Sequence, residues 1–280
     1  MRAPSVHGNH SRPRFISFGL ALSCLLCLAG CAPSFTAPAA QSTDLALARF
    51  EQKTLVPQHY DRSLGAEAAM VVKIKSRLQP AAQTLCHQQG RPRCYFRISL
   101  LDDRSTINAA ATGRSQIDVY RGLVRLMPGE AELAFVIAHE MGHHIANHMS
   151  KDDWRSDLAQ DIGATVFGIA GYLAGADTAT LKRTVNDGRQ AALDLTSGWF
   201  SVQDEYEADY LGVYLLARAG YDPKAAVRAI DHLAVGAGPG QAAWAVMPTH
   251  PADDERSARL RRSVLEITAK QRSGADLLPN

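Results

Sequence analysis

Neither sign of charge dominates this chain. Its 280 residues carry 30 Lys and Arg against 28 Asp and Glu. Arg2, Arg12 and Arg14 lie in the first 30 residues, which hold no acid, so the rest counts 27 bases against 28 acids, a net of −1. The bulk electrostatic footprint of a nucleic-acid binder is missing, and no nucleic acid is expected as a partner. The apolar run "FISFGLALSCLLCLAG" has only 16 residues, short of the roughly 20 that span a membrane. No internal repeat recurs at a fixed period, which excludes a solenoid or a C-terminal helical-repeat array. Cysteine is scarce: five in all, three of them within the first 31 residues. What remains is an ordinary globular composition, 46% hydrophobic and 21% charged, in a chain long enough for a sizeable core and one or two domains.

The short apolar run follows a basic start, "MRAPSVHGNHSRPR", and fits a secretory h-region. It ends in Leu28-Ala29-Gly30-Cys31, and small residues just before a cysteine resemble a bacterial lipobox. That resemblance implies a signal peptide over 1–30 and lipidation of Cys31; the alternative is an uncleaved anchor. Ala32, rather than Asp, after the cysteine resembles an outer-membrane address. The expected location is the inner leaflet of a Gram-negative outer membrane, facing the periplasm, with several lipid chains holding the protein to the membrane surface. Residues 31–60 are then lipid anchor and tether, and "APSFTAPAAQSTD" (32–44) reads as flexible. An exported compartment permits disulfides. Cys24 and Cys27 leave with the signal and Cys31 takes lipid, so Cys86 and Cys94 are expected to pair; the alternative is two free thiols.

The folded domain is expected over 61–272, with a tail at 273–280. Residues 61–89 have a helical pattern, with Pro80 as a kink or break. "CYFRISLL" (94–101) reads as a strand. Residues 107–127 read as a hairpin around Thr112-Gly113 running into a short helix. Pro128-Gly129-Glu130 opens a long helix to about 150. A helix over 153–178 includes a glycine-rich apolar segment, 163–175, that could gate access to a site. Helices at 181–198, 203–219, 223–235 and 251–271 follow, with a loop at 235–250. The fold class is α+β, mostly helical, with a small β-sheet or hairpin beside the long helix.

That long helix carries His139-Glu140-Met141-Gly142-His143. Positions i and i+4 share a helix face, so both imidazoles can reach one metal ion. Glu140, rotated by about 100°, reaches a water rather than the metal and suits a general base. The surrounding Leu133, Phe135, Val136 and Ile137 make burial without a metal costly, by several kcal/mol. The three-histidine variant of the motif needs a glycine three residues after His143 and a third histidine six after it; the chain has Ala146 and Met149 there. His144 and His148 are therefore read as structural or surface residues. A catalytic zinc takes three protein ligands. "DEYEADYLG" (204–212) offers Glu205 as the third and Asp209, four residues on, as a hydrogen-bond acceptor for a ligating imidazole. Glu207 points elsewhere on that helix, and Asp204 sits a residue early. Two imidazoles and a carboxylate suit one Zn2+ per chain, although other divalent ions can bind such a set.

"HEMGH" followed by "EYEAD" resembles the HtpX and CAAX-prenyl-protease type of zinc metallopeptidase, a gluzincin family, and specifically its compact exported lipoprotein members. The family's E-x-x-A-D motif matches Glu205, Ala208 and Asp209. "INAAATGRSQIDVYRGLV" resembles the family's segment before the active-site helix, which implies a substrate-holding strand at Asn108, Ala109 and Ala110. "THP" (Thr249, His250, Pro251) resembles its C-terminal His-Pro element. His250 is by that resemblance a fourth ligand or transition-state stabiliser; the alternative is a helix-start residue before Pro251. The resemblance covers roughly 65–270 and implies a zincin-like domain. Its implied activity is zinc-dependent cleavage of unfolded or damaged cell-envelope proteins by metal-activated water attack, with Glu140 as base. The alternative is a periplasmic chaperone or outer-membrane assembly factor that uses the same groove with little proteolysis.

Overall fold

The computed structural model describes residues 35–56, 58–91, 94–112, 115–149, 164–196, 200–236, 250 and 252–280. In chain order these form α1 (Ser42–Thr54), α2 (Leu64–Gln88), β1 (Arg97–Leu101), β2 (Ala109–Thr112), β3 (Gln116–Tyr120), α3 (Arg121–Leu126), α4 (Glu130–Ile145), α5 (Thr178–Thr196), α6 (Val202–Arg218), α7 (Lys224–Val235) and α8 (Asp254–Ser273). A further helical stretch covers 164–173. The architecture is α+β and mostly helical, with a three-stranded sheet of order β1-β3-β2. β1 runs parallel to β3, and β2 runs antiparallel to it.

Local chemistry sets several of the helix ends. Ser63 caps α2 by accepting the Ala66 N–H, Ser201 and Asp204 form a reciprocal capping box on α6, and Asp253 caps α8. Such caps satisfy N–H groups that have no partner inside the helix. Gly274, at φ 68°, closes α8 in the left-handed region. Of the kink or break expected at Pro80, the break does not occur: α2 runs through it. Leu78, Ala81 and Ala82 around it are buried, so packing holds the helix through the missing N–H.

The expected free tether is a second difference. Within 31–60, α1 packs against α8 and α7. Glu51 pairs with Arg261 at 2.7 Å, and Gln52 donates to Asp231 at 3.0 Å. Phe35 is buried, and Thr36 N–H donates to the carbonyl of Asn280. Composition misled here because the Ala-, Pro- and Ser-rich stretch ends at a segment, "STDLALARFEQKT", free of Pro and Gly and rich in helix formers.

α4 is buried along most of its length, from Glu132 to His143 without interruption. It lies against α2, α6, α7 and the sheet. Its contact with α6 is backbone-close. A Cβ on Gly142 would lie 2.9 Å from the Ala208 carbonyl oxygen, and one on Gly212 would lie 3.1 Å from His139 N. These two glycines set how near the histidine helix comes to the acidic helix.

Cys86 and Cys94 are joined, tying the end of α2 to the entry of β1. Replacing both by serine should cost about 2–3 kcal/mol on the chain-entropy account of so short a loop. Urea titration of the double variant against wild type measures this, and peptide mapping that finds both thiols free in wild type would exclude the bond. Gly142→Ala tests the helix contact. Helix propensity alone would favour alanine by up to about 1 kcal/mol. Overpacking against Ala208 costs about 1–3 kcal/mol. The expected net result is a lower thermal midpoint, and a raised one would show that the contact is slack.

Candidate metal centre

α4 presents His139 and His143 on one face, one turn apart, and α6 brings Glu205 to meet them. His250 arrives from the residues before α8. His143 Nε2 lies 3.0 Å from His139 Nε2. Glu205 Oε1 lies 3.3 Å from His143 Nε2, and its Oε2 lies 3.4 Å from His139 Nε2. His250 Nδ1 is 2.9 Å from Glu205 Oε1 and 3.3 Å from His139 Nε2. All four side chains are buried, and one donor atom from each lies within 4.8 Å of the others.

A chain of salt bridges backs this set. His139 Nδ1–H donates to Asp209 Oδ1 at 2.9 Å. Arg256 grips Asp209 with two parallel bonds, Nη2 to Oδ1 at 2.7 Å and Nε to Oδ2 at 2.8 Å, the bidentate geometry that favours arginine. Its Nη1 lies 3.0 Å from Glu205 Oε2 and donates to the His250 carbonyl. One guanidinium therefore ties together the ligand carboxylate, its supporting carboxylate and the backbone of His250. Arg256 was missed in the sequence. The available signal is a cation in the first turn of a helix, where the dipole disfavours it, so a tertiary acidic partner is called for.

The electrostatics fit a divalent cation. Glu140, Glu205 and Asp209 are buried carboxylates, the last two paired with the buried guanidinium of Arg256, and an ion of charge +2 would cancel the remainder. Burial works against the charged form of His139, but Glu205 and Asp209 outweigh it and lift its pKa to about 9. Burial dominates at His143 and pushes it well below the ordinary value, because the pull of Glu205 is insufficient. Glu205 is held well below the usual carboxylate range; burial opposes this, and His250, Arg256 and His139 overcome it. Close imidazole nitrogens with an adjacent carboxylate repel unless a proton or cation lies among them. Nitrogen and oxygen donors in this number suit zinc.

Glu140 is fully buried. Its Oε2 accepts the Ala111 N–H at 2.7 Å. Its Oε1 has no hydrogen-bond partner among the described residues and lies 3.6 Å from His250 Nε2. β2 is thus fastened to Glu140, and it is an edge of the sheet among the described residues. The Tyr120 N–H donates to the Asn108 carbonyl, and the register pairs Ala110 with Asp118. Antiparallel alternation then turns Asn108 and Ala110 towards β3, and the backbone of Ala109 and Ala111 away from it.

His144 contacts the Gln116 carbonyl and fastens α4 to β3, a structural role. His148 is not a surface residue: it is buried behind His143, with Asp204 and Glu207 beside it. As expected, neither acid joins the donor set; both meet His148 instead, where the first turns of α6 run past the end of α4. Phe200 stacks on the His143 ring at 3.8 Å, a contact with no sequence signal. The segment expected as a gate packs against α5, where a Cβ on Gly171 would lie 3.1 Å from Leu181 Cδ1. The signal segment, Cys31, Gly113, Thr249 and Pro251 lie outside the described residues.

The pattern of Peptidase family M48 matches residues 73–264. This chain belongs to that family. It is 30% identical over 164 residues to mitochondrial metalloendopeptidase OMA1 of Arabidopsis thaliana, covering 59% of this chain and 31% of that protein. It is 30% identical over 167 residues to the beta-barrel assembly-enhancing protease of Escherichia coli K12, covering 58% and 33%. Metalloprotease LoiP of the same bacterium is 29% identical over 157 residues, covering 55% and 58%. The match thus spans about a third of the first two relatives. The metallopeptidase family is as the motifs suggested, but the first two relatives are of the OMA1 and assembly-enhancing kinds rather than HtpX or CAAX-prenyl proteases.

Removing the charge of Asp209 should loosen the His139 ring. Asp209→Asn is expected to weaken zinc affinity about 10–100-fold, the usual effect of losing a hydrogen-bond partner to a ligand. Competition with a chromogenic chelator measures it. Wild-type affinity in the variant would remove Asp209 from the site.

Proposed function

We propose that this chain is a zinc-dependent endopeptidase that cleaves unfolded or damaged envelope proteins. The observation that carries the proposal is Glu140: a buried carboxylate with one oxygen fastened to β2 and the other without a hydrogen-bond partner among the described residues, beside the donor set, in a chain of Peptidase family M48. Zinc, held by His139, His143 and Glu205, would supply Lewis acidity for the scissile carbonyl and a lowered pKa for water. Glu140 would take the proton of the attacking water on Oε1 and pass it to the leaving amine. Asp209 and Arg256 would keep His139 and Glu205 in place through the reaction.

Substrate would add as a strand beside β2, an exchange of backbone hydrogen bonds that is indifferent to most side chains. Of the three residues expected to hold it, Ala109 has outward-facing backbone groups, and Ala111 joins it as the residue that also positions Glu140. His250, buried against Glu205, would close the fourth side of the donor set at rest. Export, lipidation at Cys31 and an outer-membrane location belong to the same reading. It is supported by the lipobox-like sequence and by the assembly-enhancing name of the E. coli relative. No helix among the described residues is long and apolar enough to cross a membrane. That relative's name also favours a second reading, a chaperone or outer-membrane assembly factor using the same groove.

Purified residues 32–280 loaded with zinc, incubated with casein beside Glu140→Gln, separate the two. Cleavage by wild type alone, with at least a hundredfold loss in the variant, is the expected result. No cleavage by either protein, with zinc present, would favour the chaperone.

A further inference from the structure

A second group of buried ionisable side chains lies directly behind His143, and the proposed chemistry leaves it unused. His148 Nδ1 is 2.9 Å from His143 Nδ1. His148 Nε2 is 3.1 Å from Glu207 Oε2 and 3.5 Å from Asp204 Oδ1. One donor atom from each of His148, Asp204 and Glu207 lies within 4.8 Å of the others, so a second metal is the first reading to weigh.

Tautomers decide against it. His143 turns Nε2 towards Glu205 and His139. A His143 that ligates through Nε2 carries its proton on Nδ1. That N–H points at His148 Nδ1, which must accept it. A neutral His148 then bears its own proton on Nε2, facing the two carboxylates, and a protonated nitrogen has no lone pair for an ion. The carboxylates have other duties as well. Glu207 Oε1 accepts the Phe35 N–H at 2.9 Å, and Asp204 Oδ2 accepts the Ser201 hydroxyl at 2.5 Å.

We propose that His148 and Glu207 are positioning residues for His143, a relay from a fixed carboxylate through one imidazole to the ligating one. The proposal rests on the zinc reading above. Glu207 sets the tautomer of His148, and His148 sets that of His143, leaving the His143 Nε2 lone pair aimed at the donor set. This is the counterpart of the Asp209–Arg256 support of His139, with an imidazole between the ligand and the carboxylate. The far end of the relay is the Phe35 backbone, so the docked N-terminal segment completes it.

Two measurements test the relay. Long-range 1H–15N spectra of zinc-loaded wild type, labelled at histidine, should show His148 protonated at Nε2 and His143 at Nδ1. Chelator competition should give His148→Ala and Glu207→Gln a zinc affinity about 10–100-fold below wild type, at one zinc per chain. Thermal midpoints of the zinc-free proteins, taken alongside, separate this loss from general destabilisation. A proton on His148 Nδ1, or unchanged affinity in both variants, overturns the relay while leaving the protease reading intact. A second zinc equivalent in wild type that disappears in Glu207→Gln replaces it with a metal site. Wild type that binds no zinc overturns both proposals. The wild-type spectrum decides the matter even if a variant fails to fold.

Discussion

The backbone-close contact between α4 and α6 is the constraint on which the site depends. His139 and His143 come from one helix, Glu205 and Asp209 from the other, and their side-chain atoms meet at 2.9 to 3.4 Å. The interhelical distance must therefore be right, and it is set where Gly142 meets Ala208 and Gly212 meets His139. A methyl group at either point would have to push the helices apart, and packed interiors yield little to such pressure. The second glycine meets the backbone of a ligand itself, so the same contact that packs the core also locates His139.

Placing this much charge inside requires compensation, and the structure supplies it by pairing each ligand with a partner. His139 has Asp209, Asp209 has Arg256, Glu205 has Arg256, and His143 has His148. A buried ion pair is weak evidence of stability in itself, because desolvation offsets much of the attraction. Its value here is geometric. Side chains locked by their partners cannot rotate away from a shared point, which is what a metal site needs before the metal arrives.

Helix periodicity and turn residues carried the elements from residue 64 onward, and i, i+4 spacing carried His139, His143, Glu205 and Asp209. Those signals are local: a helix fixes which residues share a face without reference to the rest of the chain. What the sequence hid is non-local. Arg256 matters because α8 crosses α6. His148, Asp204 and Glu207 meet because the end of α4 runs past the start of α6, and no spacing within either helix reveals that. α1 was hidden for a different reason. Its packing against α7 and α8 makes a helix of a segment whose Ala-, Pro- and Ser-rich approach suggested a tether. Pro80 likewise shows tertiary packing overriding a local signal.

The sheet is small, yet its position gives the proposed activity its character. β2 would offer a substrate a backbone edge of three alanines and a threonine, and the Ala111 N–H holds Glu140 at that edge. On the proposed reading a chain would have to be extended to lie there, so a folded protein would be excluded by shape rather than by sequence. Preference for unfolded polypeptides would then follow without any recognition of residue type. The burden of selectivity would then fall on access, and His250, against Glu205, borders the donor set. On the proposed reading, such an enzyme would be selective through access and location, not through which side chains it reads.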